Sequence, residues 1–169
     1  MVLSSRRNSL CAIGGQSLAP RQQARQFKPK KTSFEQVYRA VKEYRNKYPD
    51  KAVVYSADNY DAFAWAAFMA GASLTEIPVL DAQFYKSAAT MLPISMVKQN
   101  YVLANQQQEY IIYAIADINL DDFSTDKSTV AEWINLSSGK IIATQKIENN
   151  LHIINKPNNQ SAVLWIHKK

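Results

Sequence analysis

The chain reads as an α+β protein: a small partial α/β layer followed by an antiparallel, β-sandwich-like domain. Three observations predict this. Between Ser33 and Pro93, helix-period and strand-period runs alternate, the order expected of an α/β layer. From Tyr101 onward the pattern changes to seven short runs of β-branched and aromatic residues separated by polar turn clusters, the spacing of an antiparallel sheet. The 169 residues are 47% apolar, enough to bury a core in one domain or in a domain with an appendage. The expected division is a basic flexible tail over 1–32, a partial α/β segment over 33–95 and an antiparallel β-domain over 96–169.

The charge sits at one end. Seven basic groups, from Arg6 to Lys31, and no acid fall within residues 1–34, so the other 13 of the 20 basic groups face all 14 acids. The folded part is therefore near neutral. A nucleic-acid-binding face needs clustered Lys and Arg, so nucleic acid is not an expected partner of the domain. The tail is rich in Ser, Arg and Gln. Its "LCAI" is too short for the apolar core of a secretory signal, and its composition is crudely that of an organellar transit peptide. No run approaches the roughly 18 apolar residues that cross a bilayer. Cys11 is the only cysteine, which excludes an intrachain disulfide or a Cys-rich metal site.

The elements follow in order. Ser33 with Gln36 has capping-box spacing, and Phe34, Val37, Tyr38, Val41 and Tyr44 then follow a helical stripe that Pro49 and Asp50 should end. "AVVYSA" is a short apolar run that suits a strand buried on both faces. "ADNY" supplies a capping loop, and "YDAFAWAAFMAG" a second helix closed by Gly71. Ala62, Phe63, Ala66, Ala67 and Ala70 should make its close contact with the sheet, with Trp65 buried among them. "ASLTEIPVL" reads as another short strand, which Pro78 ends early or places at an edge. Asp81 caps a third helix, "AQFYKSAATML", stopped by Pro93. Two parallel strands do not make a covered sheet, so further strands must come from elsewhere in the chain or from a larger architecture. In the β-domain, alternation puts Val130, Glu132 and Ile134 on one face and Ala131 and Trp133 on the other. Ser138–Gly139 and Asn149–Asn150 are turn pairs that tolerate positive φ.

The set formed by Tyr101, Ala104, Asn105, Tyr110, Tyr113, Trp133, Ser138, Gly139, Pro157 and Trp165 resembles, in kind and order, the C-terminal β-domain of bacterial glycoside-hydrolase-like proteins, a domain that carries the label collagen-binding. "AWAAFMAGAS" before it looks like the last helix and strand of the (β/α)8 barrel that this domain follows. The resemblance covers about residues 50–169. It implies that the α/β segment is the end of a barrel, that carbohydrate is the ligand class, and that an upstream segment or another chain completes the barrel. Such relatives are often exported; the sequence itself leaves the location open. In that architecture the two working carboxylates stand at the C-terminal ends of separate strands. Here "AVVYSAD" offers Ser56 and Asp58 at a late strand, with no clear Glu, so the resemblance implies a catalytically incomplete region.

Asp58 and Glu76 are the candidate catalytic pair, and a glycosidase would need them about 5 to 9.5 Å apart. The plainer role for Asp58 and Asp61 is to complement the second helix's dipole. Trp133 and Tyr110 are the candidate sugar platforms, against the plainer reading of aromatics as core. His152 and His167 are read as surface or edge residues, and isolated histidines do not make a metal site. With only four glycines there is no phosphate-cradling loop, and no cofactor is expected.

Overall fold

The computed structural model describes residues 2–4, 32–56, 62–125, 129–148, 151–157 and 161–168, with the backbone alone at 2–4 and Ser56. The chain divides into two compact units, Met1–Ile77 and Pro78–Lys169.

In the first unit, helix α1 (Phe34–Lys47) begins with the capping box that the sequence predicts. Gln36 N donates to Ser33 Oγ at 3.3 Å and Ser33 N donates to Gln36 Oε1 at 3.1 Å. Two amide groups that a helix start leaves orphaned are thereby satisfied. Val37, Tyr38 and Val41 form its buried stripe. Helix α2 (Ala62–Met69) is apolar almost all round, with Ala64, Trp65, Ala66, Ala67 and Met69 buried, the mark of a helix enclosed by its neighbours. Ala66, Ala67 and Ala70 are buried as expected, Phe63 is half-buried, and Ala62 stands exposed at the first turn. Gly71 (φ 81°) closes α2: its N–H reaches Phe68 O at 2.9 Å and Ala72 N–H reaches Ala67 O at 3.0 Å. These are the paired bonds of a Schellman motif, whose left-handed residue favours glycine. The capping loop expected at 57–60 lies outside the described residues, as does Asp61.

The sheet of this unit is three-stranded and parallel, in the order β1 (Val2–Ser4), β2 (Val54–Ser56), β3 (Leu74–Thr75). The extra strand that two parallel strands require comes from the chain's own beginning, pairing Val2 with Val54 and Ser4 with Ser56. Nothing in a basic, serine-rich context marks a three-residue strand, because its partner is set by tertiary pairing rather than by local pattern.

The second unit holds helix α3 (Ala82–Ala88), which Asp81 caps by accepting from Gln83 N at 2.6 Å. The sequence pattern extends this helix to Leu92. It stops four residues sooner because Leu92 and Pro93 form strand β4, paired with Ala104 and Leu103. Proline has no N–H to give a ladder, and an edge strand tolerates that. The sheet runs β4, β5 (Tyr101–Ala104), β6 (Tyr110–Ala114), β11 (Ala162–Lys168), β8 (Thr129–Ile134), β9 (Ile141–Lys146), with every pairing antiparallel. β7 (Ile118–Asn119) and β10 (Ile153–Ile154) form a separate two-stranded ribbon. The second layer of the expected sandwich is thus a ribbon rather than a full sheet. The molecule is α+β, with the six-stranded antiparallel sheet as its largest element.

One face of that sheet carries Val102, Tyr110, Ile112, Ala131, Trp133, Leu164 and Ile166, packed with Ile118, Leu120 and Ile154 of the ribbon region. The predicted split of β8 holds, since Ala131 and Trp133 fall in this cluster and Val130, Glu132 and Ile134 do not. Each fully buried Leu or Ile contributes about 1.5–3 kcal/mol. The other face carries Trp165 and receives α3 through Phe84, whose ring meets Trp165 edge-on at 5.4 Å.

The β8–β9 turn is held by Asn135, whose Oδ1 accepts from Ser137 N at 3.0 Å and Ser138 N at 2.9 Å. Gly139 lies in the left-handed region (φ 69°), and a Cβ there would stand 2.7 Å from the carbonyl oxygen of Val79. Gly139→Ala should therefore cost about 2 kcal/mol, from a left-handed backbone and a backbone clash together. Urea unfolding of the variant measures it; a loss below about 0.5 kcal/mol would mean that the turn moves freely off residues 78–80.

Candidate functional site

Strand β11 positions the site. It pairs with β6 on one side and β8 on the other, so the sheet buries it at its centre. Period-two alternation sends Leu164 and Ile166 to the ribbon side and Trp165 and His167 to the helix side. Two residues apart on one face, the indole and imidazole stack, with centroids 3.6 Å apart and planes 15° from parallel. Glu132 is the β8 residue paired with Trp165, and its Oε2 stands 3.4 Å from His167 Nε2. The His167 Nδ1 lies 3.0 Å from the carbonyl oxygen of Lys168.

Helix α3 covers this face with Phe84, and Ser87 one turn later is also buried. Ser87 Oγ, Trp165 Nε1 and His167 Nε2 are buried polar atoms without a hydrogen-bond partner in the protein. The 3.4 Å approach of His167 Nε2 to Glu132 Oε2 is within ion-pair distance but is not a hydrogen bond. Tyr113 is on the same face, 5% exposed. Burial pushes its phenol above the usual value, and a hydrogen bond with Ser161 pulls partly the other way.

The residues singled out from sequence lie elsewhere. Asp58 is outside the described residues. Glu76 is exposed just after β3 in the first unit. Trp133 is 4% exposed and Tyr110 is 9% exposed, both within the ribbon-side core. The Tyr110 ring packs edge-on against Phe123 at 5.0 Å. Its hydroxyl donates to Ser124 O and accepts from Ser124 N, which fastens the chain after the 3-10 turn Leu120–Asp122. His152 is exposed as expected, 2.9 Å from Asp121. His167 corrects the reading of it as a surface or edge residue: it is 9% exposed, because the last strand of the chain is central in the sheet. The signal that could have located it is the Trp-x-His spacing of "LWIHK", which puts two rings on one strand face. No cluster of His, Cys, Asp and Glu with metal-holding geometry occurs among the described residues, and no helix there is long and apolar enough to cross a membrane.

A family profile described as "Domain of unknown function (DUF6298)" matches residues 4–91, from the end of β1 through α3. No curated protein matches the chain. A solved structure named "Glycoside hydrolase" is similar with a TM-score of 0.47 and 12% identity, covering 78% of this chain and 45% of that one. The chain thus spans less than half the length of that protein.

The raised Tyr113 has a pH consequence. Its neutral form is favoured in the folded state, so the stability it confers is complete below about pH 10 and is lost as pH rises through the higher folded value. Thermal melts from pH 8 to 11 should show a steeper alkaline fall in the wild type than in Tyr113→Phe. Identical slopes would mean that the phenol is equally free to ionise in both states.

Proposed function

We propose, on the premise that the chain belongs to the family described as Domain of unknown function (DUF6298), that it is a catalytically incomplete supporting module of glycoside-hydrolase-like architecture. Its α/β segment would be the end of a barrel that an upstream segment or another chain completes. Its β-domain would be the equivalent of the domain labelled collagen-binding, acting by structural support with at most weak carbohydrate binding; the basic stretch from Arg6 to Lys31 would be an arm. The ordered set from Tyr101 to Trp165 favours this architecture.

The observation that carries the supporting role is the burial of the aromatic residues that a sugar site would use. Stacking on a pyranose needs an open ring face, and Trp133 and Tyr110 spend theirs on core packing. A sheet whose central strands pack side chains on both faces suits a spacer or scaffold.

Two measurements test the reading. The full chain, incubated with a panel of aryl glycosides, should release no aglycone above the protein-free blank. Turnover that falls in Glu76→Gln would overturn the proposal in favour of a hydrolase. Trp133→Ala should lower stability by about 3–5 kcal/mol, the cost of emptying a core position, while Trp133→Phe retains most of it. Loss of polysaccharide retention in affinity electrophoresis, with the melting temperature of Trp133→Ala unchanged, would make Trp133 a binding platform instead.

A further inference from the structure

The buried polar atoms on the helix-covered face have a hydrogen-bonding imbalance that points to a ligand. His167 Nδ1 is 3.0 Å from the carbonyl oxygen of Lys168. A carbonyl oxygen only accepts, so this contact places the ring hydrogen on Nδ1. In the neutral ring Nε2 then carries a lone pair. That lone pair lies 3.4 Å from a carboxylate oxygen of Glu132, which also only accepts. Both side chains are largely withdrawn from solvent, at 11% and 17% exposure. With the ring neutral, two acceptors confront each other with no hydrogen between them. On the ring stacked against His167, and on the residue paired with Glu132, the indole N–H of Trp165 is a donor with no acceptor.

We propose that Glu132, Trp165 and His167 form a buried site for a hydroxyl group. A hydroxyl is the group that corrects both shortages. A water gives one hydrogen to Nε2 and the other to the carboxylate, a small polyol gives one from each of two neighbouring hydroxyls, and in either case an oxygen accepts from the indole N–H. A metal cation is a poor occupant, because an indole N–H offers it no lone pair and no cluster of ligating side chains is formed among the described residues. The hydroxyl is that of a trapped water or of a small polyol. The site does not rest on the supporting-module reading and stands whether or not the chain proves catalytic.

The isosteric variant Glu132→Gln gives the test its sign. Its amide NH2 donates directly to Nε2, so the guest is no longer needed to separate two acceptors. Its melting temperature should equal or exceed that of the wild type, and nitrogen NMR of the wild-type His167 ring should show one protonated nitrogen, Nδ1. A crystal structure of the full chain grown without polyol should show an oxygen within hydrogen-bond distance of both Nε2 and the Glu132 carboxylate; this outcome assigns a water. A melting-temperature rise with glycerol that is larger in the wild type than in Glu132→Gln assigns a polyol. If instead both ring nitrogens are protonated and Glu132→Gln lowers the melting temperature by about 3 °C or more, the pair is a direct imidazolium–carboxylate bridge and the hydroxyl site is overturned. Density free of any such oxygen, with no differential glycerol effect, also overturns it.

Discussion

The second unit depends on the double pairing of β11. This strand, the last in the described chain, takes hydrogen bonds from β6 on one side and β8 on the other, with register running from Ala162 opposite Ala114 to Lys168 opposite Thr129. A strand in that position satisfies its backbone only when both neighbours are in place. The six-stranded order therefore closes late in the sequence: β4, β5 and β6 form one half, β8 and β9 the other, and β11 joins them. The side-chain period then divides the labour, with Leu164 and Ile166 completing an apolar core and Trp165 and His167 building a mixed one beneath α3.

The outer strands show how the sheet stops growing. At one end β4 is two residues long and contains Pro93, which removes a donor from the open edge. At the other end every residue of β9 is exposed, and Lys140 and Lys146 flank Ile141 and Ile142. A register shift between Trp133 and Ile134 also disturbs the β8–β9 ladder. Short length, proline, charge and irregularity are the usual protections against edge-to-edge pairing. The sheet is thus organised through its two packed faces rather than through its margins.

Local chemistry made much of this legible in the sequence. The Ser33–Gln36 capping box, the Gly71 closure, the Asp81 cap and the alternation in β8 each depend on residues within a few positions of one another, and each appears as read. Long-range pairing was not legible. β1 has no local signature, Leu92 fits a helix end until Ala104 pairs with it, and His167 looks terminal because sequence order hides that β11 is central. Tryptophan and tyrosine carry no mark of burial in their own identity, so a sugar platform stood beside the plainer core reading for Trp133 and Tyr110, and the core holds both.

The contrast between the two sheet faces bears on where function resides. On the ribbon side, Trp133, Leu164 and Ile166 lie among apolar neighbours, and the Tyr110 hydroxyl makes two hydrogen bonds with Ser124. On the helix side, Ser87, Trp165 and His167 each bury a polar atom that the protein leaves unmet. Each such atom costs about 1–3 kcal/mol, whereas apolar groups of similar shape would cost nothing there. A module selected for packing alone would favour an aliphatic residue at position 167 and no carboxylate at 132. The Trp-x-His pair opposite Glu132 is therefore the feature of the second unit that packing alone does not explain.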